Sequence, residues 1–359
     1  MFNKHLFIDS IILMLFGLLM IYSSSSIWSE YKFGTSFHYL IYQGMFIIIS
    51  IILMIILSKL DYHIFYKNAT KLLTISFILL VLVLIPGIGI IRNGSRSWFG
   101  IGGLGIQPSE FAKLSLIIFV SKYLSKSDKY IKDYKKGVIP ILGILLLIFG
   151  LIMLEPDFGT GMIIVVSIII LLFISGVNMK FFLILGGVGI IGIIILVIIA
   201  PYRMDRITSF LDPWSDPLGT GFQIIQSLYA IGPGGLLGMG LFNSRQKHFY
   251  LPEPQTDFIF SIISEELGVL GVIMVITLFG VLLYQGIKIS LKCEDKFGKY
   301  LSFGLIFQII FQTILNLSVV IGLIPVTGVT LPFLSYGGSS LLISSISIGI
   351  ILSISKKAT

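Results

Sequence analysis

Ten apolar segments, most of them close to the length of a bilayer crossing, leave this chain little choice of fold. They lie at 6–26, 39–58, 72–91, 108–124, 138–154, 160–176, 181–200, 258–286, 301–323 and 332–354. A helix needs roughly 20 apolar residues to cross the hydrocarbon layer. There every backbone N–H and C=O must be satisfied within the protein, so only helices and closed barrels span it. The runs are continuous, not alternating, which excludes a β-barrel. A mean hydropathy of +1.02, with 56% hydrophobic and 12% charged residues, places the chain outside the soluble class. The expectation is an all-α polytopic membrane protein with ten transmembrane helices. It forms one membrane domain over 1–359, with a long extracytoplasmic loop at 201–256 between helices 7 and 8. The first run, Leu6 to Ile21, is longer than the apolar core of a signal peptide and is followed by further spans, so it reads as an anchor. The fourth span carries least signal, because Lys113 and Lys122 interrupt it.

Charge sets the orientation. With the N-terminus inside, seventeen lysines fall on the cytoplasmic side, seven lysines and arginines fall outside, and Lys113 lies within a span. The positive-inside bias then puts both termini in the cytoplasm and the 122–136 loop beside them. The net charge of +8 is spread over the ends of apolar runs, so it does not make a nucleic-acid surface. A single cysteine, Cys293, excludes an internal disulfide framework and any CxxC metal site. All five arginines (Arg92, Arg96, Arg203, Arg206 and Arg245) lie outside, whereas every cytoplasmic cation is lysine. Each could be an interfacial anchor. As a set, their planar forks of donors suit the oxygens of an external phosphate or another anion.

The most polar stretch runs from Arg245 to Gly268, RQKHFYLPEPQTDFIFSIISEELG, and leads straight into the eighth apolar run. At 100° per residue Asp257, Ser261, Ser264 and Gly268 share a face, with Glu265 at its edge. A charged side chain at that depth faces a bundle interior or a wet cavity, not lipid. Asp257 therefore marks the place where an external loop becomes a buried helix.

The other external stretches add to it. RNGSRSWFGIGGLGIQ at 92–107 contains Gly100-x-Gly102-x-x-Gly105, but no βαβ unit surrounds it, so a dinucleotide site is rejected. Pro108, Ser109 and Glu110 read as a helix start, and Glu110 and Lys113, three apart, can pair. That pair either orients helix four or takes part in the site. In the turn Glu155-Pro156-Asp157 the acids read as caps for the next helix. The 201–256 loop is long enough to have structure of its own, with an amphipathic helix at 222–231 and a glycine-rich run at 232–240 suited to close backbone approach or to a mobile lid. Gln308, Gln312 and Asn316 form an amide stripe, and Ser335, Gly338, Ser339, Ser344 and Ser345 a small-residue face, both of which suit helix packing. The four histidines are scattered, and no Ser-His-Asp constellation follows from spacing. A carboxylate beside cations suggests a base acting on a substrate with an anionic leaving group.

GSRSWFGIGGLGIQPSEFAKL (94–114), EPDFGTG (155–161), the 201–241 segment, SRQKHFYLPEPQTDFIFSIISEELG (244–268) and GLIPVTGVTLPFLSYGGSSL (322–341) resemble the SEDS family of shape, elongation, division and sporulation proteins. The stretches run in family order over nearly the whole chain and look most like the FtsW and SpoVE branch. His248 and Phe158 depart from the commoner residues without touching a charged position. The resemblance implies a multi-pass protein of the bacterial plasma membrane that polymerises lipid II into peptidoglycan glycan strands, with inversion and loss of undecaprenyl pyrophosphate. It implies Asp257 as general base and a need for Trp98, Glu110 and Lys113. The five arginines and Glu253 complete the expected substrate-binding set, and a pyrophosphate leaving group calls for arginine or a divalent cation, Mg or Mn. The implied partners are a class B penicillin-binding protein transpeptidase and other division or sporulation membrane proteins. A lipid II flippase and a non-catalytic scaffold are the rival readings.

Overall fold

The computed structural model describes residues 3–92, 94–101, 104–126, 134–199 and 201–357. Within these, six helices are long and apolar enough to cross a membrane: α1 (Lys4–Phe33), α2 (His38–Lys59), α3 (His63–Leu84), α11 (Ile259–Lys292), α12 (Lys296–Val320) and α13 (Gly338–Ser355). Three shorter apolar helices are α6 (Ile139–Leu154), α7 (Phe158–Ile174) and α8 (Met179–Ile199). They are preceded by α4 (Pro108–Ser125) and by α5, a single turn at Tyr134–Gly137. The 201–256 segment holds α9 (Pro201–Leu211) and α10 (Phe222–Ile231).

Local chemistry starts and stops these helices. The Asn3 side chain accepts the Leu6 N–H to begin α1, and Gly34, at φ 69°, ends it in the left-handed conformation that glycine adopts without strain. Asp157 caps α7 through the Thr160 N–H, as the turn's sequence implied, and Asp295 caps α12 through the Gly298 N–H at 2.9 Å. The weak fourth span has a physical reason. Helix α4 is buried on nearly every side, against α3, α7, α12 and α13, so it can carry Glu110 and Lys113 where a lipid-facing helix could not.

The chain is predominantly helical but not all-α. Residues expected to end the third span and form a glycine loop instead make a three-stranded antiparallel sheet, β1 (Ile90–Arg92), β2 (Ser95–Ile101) and β3 (Leu104–Ile106), in that order. Ile90 stands opposite Trp98 and Phe99 opposite Ile106. Isoleucine, phenylalanine and tryptophan fit a pleated, half-buried surface, and neighbouring strand segments satisfy the backbone that a bare loop would leave open. Helix α13 starts later than the apolar run at 332–354, because residues 332–337 form a turn before it.

The glycine-rich run is not a free lid. Helix α11 is broken at Gly268, with φ 60° and ψ −154°, and the 234–240 segment threads into the break. Met239 and Gly240 N–H donate to the carbonyls of Glu265 and Glu266, and Val269 N–H to that of Gly235. A Cβ on Gly234 or Gly238 would overlap the Ser264 or Glu266 carbonyl, so close approach decides these glycines. Helix α10 lays Ile224, Ile225 and Ala230 inward, and its Ser227 hydroxyl bonds Ser261 at 2.7 Å and the Val320 carbonyl at 2.7 Å. The polar face at 261–268 is thus covered by the loop itself.

Candidate active site

Asp257 sits in the turn just before α11, half-buried. The first bond of the helix runs from the Ser261 N–H to the Phe258 carbonyl, and the Asp257 carbonyl accepts Asn316 Nδ2 at 2.7 Å. Its Oδ1 accepts the Thr256 hydroxyl at 2.8 Å. Burial raises the Asp257 carboxyl above the ordinary carboxylate range; the Thr256 hydroxyl opposes this, Glu253 adds to it and Arg206 subtracts. Burial outweighs the bonds to the anion, which makes this carboxylate a better base than a solvated one.

Glu265 and Glu266 do not join Asp257, although both follow it in sequence. Glu265 accepts the Ser244 hydroxyl at 2.5 Å and the Arg245 N–H at 2.8 Å. Glu266 accepts the Ser23 hydroxyl at 2.7 Å and pairs with Lys247 at 3.3 Å. The two buried acids pin the segment that leads to Asp257.

The other expected residues divide. Glu110 and Lys113 pair at 2.9 Å, both nearly inaccessible, and Lys113 Nζ also donates to Gln312 Oε1 at 2.7 Å. Glu253 is exposed at φ 43° and bears electrostatically on Asp257. Among the described arginine side chains, Arg206 is the one whose charge reaches Asp257, and its Nη1 donates to the Val326 carbonyl at 2.8 Å. Arg245 is exposed with its main chain held by Glu265, and Arg96 and Trp98 lie half-buried in β2. The side chains of Arg92 and Arg203 lie outside the described residues, as do Lys129 and Lys132 of the 122–136 loop.

Two features escaped the sequence reading. An apolar cavity of about 600 Å³ opens between α2, α3, the sheet, α4 and α13, lined by Phe46, Leu79, Phe99 and Phe111, with Gln107 and Ser339 in its wall. Gln107 Nε2 donates to Asp157 Oδ2 at 2.8 Å, and its N–H to the Ser339 hydroxyl at 3.1 Å. The second is Glu155, fully buried with both carboxylate oxygens unpartnered among the described residues, while its carbonyl accepts the Ser95 hydroxyl. Burial, with a smaller push from Asp157, raises its carboxyl to about 9. Its place beside a capping aspartate gave the sequence no sign of this.

A bundle of membrane-capable helices carrying a half-buried carboxylate at the end of a long loop, with an arginine whose charge reaches it and a buried acid–lysine pair, defines a polytopic membrane protein with a polar site at one end of its helices. The chain belongs to the FtsW/RodA/SpoVE family, described as cell cycle proteins, which it matches over residues 4–359. It is 51% identical over 351 residues to stage V sporulation protein E of Bacillus subtilis (strain 168), covering 98% of this chain and 96% of that one. It is 40% identical over 348 residues to the probable peptidoglycan glycosyltransferase FtsW of Geobacter sp. (strain M18), covering 97% and 95%. Among solved structures it superposes with a TM-score of 0.80, at 30% identity, on a chain of a peptidoglycan synthase complex that coordinates polymerization and crosslinking, covering 99% and 98%. On the rod shape determining protein RodA of Thermus thermophilus the TM-score is 0.73 at 26% identity, covering 99% and 97%.

Proposed function

We infer that this chain is a peptidoglycan glycosyltransferase that polymerises lipid II in cell division or sporulation. The observation that carries the reading is Asp257, a burial-raised carboxylate beside Arg206 in a family whose relatives are named for this activity. The Asp257 carboxylate takes the proton of the acceptor sugar's 4-hydroxyl as that oxygen attacks the donor's anomeric carbon. The bond to pyrophosphate breaks with its electron pair going to the phosphate oxygen, and configuration inverts. Arg206 supports the departing charge with a fork of donors. The apolar cavity suits the polyprenyl chain, and the buried Glu110–Lys113 pair stands in the adjoining wall of α4.

No cluster of three or more His, Cys, Asp or Glu able to hold a metal occurs among the described residues. Asp257 or Glu253 would hold an Mg or Mn ion, which would supply positive charge for the departing pyrophosphate. Helices α1–α4, α6–α8 and α11–α13 make up ten spans, with the 201–256 loop outside and both termini cytoplasmic in the bacterial plasma membrane. A class B penicillin-binding protein is the expected transpeptidase partner, in line with the synthase complex that this chain resembles.

Polar groups also continue below the site. Asp9, near the cytoplasmic end of α1, and Ser50 and Ser302 are buried with unpartnered oxygens, which keeps lipid II translocation as the second reading. One experiment separates the two. Purified Asp257→Asn protein is assayed for glycan strand formation from lipid II, with and without the transpeptidase, beside a lipid II accessibility assay in liposomes. Polymerisation falls by about 10²-fold, as for loss of a general base, and translocation, where the wild type shows it, is unchanged. Normal strand formation with lost translocation refutes the polymerase.

A further inference from the structure

Helix α12 holds two charged residues with successive turns, Asp257 by its main-chain carbonyl and Lys113 by its ammonium group. Gln312 and Asn316 are four residues apart on one face and almost wholly buried. Their partners fix the orientation of each amide. Asn316 Nδ2 donates to the Asp257 carbonyl at 2.7 Å and to the Val329 carbonyl at 2.8 Å, so a flipped amide would turn its oxygen on two carbonyls. Gln312 Oε1 accepts Lys113 Nζ at 2.7 Å, and its Nε2 donates to the Thr330 carbonyl at 3.0 Å. Two consecutive carbonyls, those of Val329 and Thr330, are therefore held by the two amides. The same amides reach Asp257 on one side and the Lys113–Glu110 pair on the other.

We propose that Gln312 and Asn316 form a positioning bar that fixes Asp257 in distance and direction from the Lys113–Glu110 pair. The proposal rests on Asp257 acting as the base. Neither amide needs to touch substrate: each acts through the group it holds. Hydrogen bonds made inside a buried network are strong, and a single missing partner leaves orphaned carbonyls, so the spacing is stiff. Gln308, one turn away and equally buried, has an Nε2 with no partner among the described residues, so the stripe contains its own control.

The test compares Asn316→Leu, Asn316→Gln, Gln308→Leu, Asp257→Asn and the Asp257→Asn/Asn316→Leu double variant as purified proteins polymerising lipid II. Asn316→Leu lowers kcat by about 10²-fold, the cost of misplacing a reacting group by about 1 Å, with KM for lipid II nearly unchanged. It also moves the acid limb of the kcat/KM pH profile, which a general loss of folded protein would not. Asn316→Gln, which keeps the donors, recovers part of the loss and serves where the leucine variant does not fold. Gln308→Leu keeps wild-type activity. In the double variant the leucine adds nothing to the loss from Asp257→Asn. Losses that multiply in the double variant, an unmoved pH profile, or equal damage from Gln308→Leu overturn the bar. Full activity in Asp257→Asn alone overturns the base and leaves that failure distinguishable.

Discussion

Glu155→Gln should stabilise this protein, increasingly so as pH rises. The carboxyl lies fully buried in the turn after α6 with no hydrogen-bond partner among the described residues, and burial lifts it from an ordinary 4.5 to about 9. Between those two values the unfolded chain has released the proton while the folded chain retains it. The folded state then binds more protons, so stability falls with rising pH from about 4.5 and levels off above about 9. Each pH unit in that window costs about 1.4 kcal/mol, and three units, from pH 4.5 to 7.5, cost about 4 kcal/mol as an upper bound. Glutamine keeps the size and buries an amide that never ionises. The assay is thermal unfolding of both purified proteins in one detergent from pH 5 to pH 9. The gap in unfolding temperature should be small at the acid end and widen steadily in favour of Glu155→Gln. Parallel curves, or a gap that narrows with pH, would refute the argument that a neutral buried acid sits in this turn.

Gly238→Ala should destabilise by about 3 kcal/mol, from left-handed strain plus overlap with immovable backbone. Gly34→Ala, at φ 69° with open space around it, should cost about 1 kcal/mol, and equal losses in thermal unfolding would contradict the threaded break in α11. Arg206→Lys keeps the charge but loses the fork, so polymerisation should drop well below wild type; full activity would reduce Arg206 to an anchor. A cysteine placed at Ser215 should react with a membrane-impermeant reagent in intact cells while Cys293 does not. The reverse labelling would overturn the topology.

What could be read from the chain alone was whatever depends on near neighbours in sequence. The apolar runs specify helices because a lipid-spanning backbone must bond to itself. The Glu110–Lys113 pair follows from a three-residue helical spacing, and the Asp157 cap from one residue's place before an apolar run. Asp257 stood out because a charge at the edge of a span has few tolerable environments. The sheet at 90–106 was missed because its strands are only three to seven residues long and gain their partners from one another, not from periodicity. Which acids join Asp257 was also beyond the sequence. Glu265 lies at the edge of the helical face that Asp257 heads, yet it and Glu266 face the 244–247 segment and Ser23, which lies 243 residues from Glu266. The amide stripe was visible, but its grip on Asp257 spans 59 residues. Burial and long-range partners belong to the packed chain as a whole, and with them come the raised carboxyl of Glu155 and the setting of Asp257. Only the tertiary structure decides them, because desolvation depends on everything that surrounds a group and not on the residues beside it in the chain.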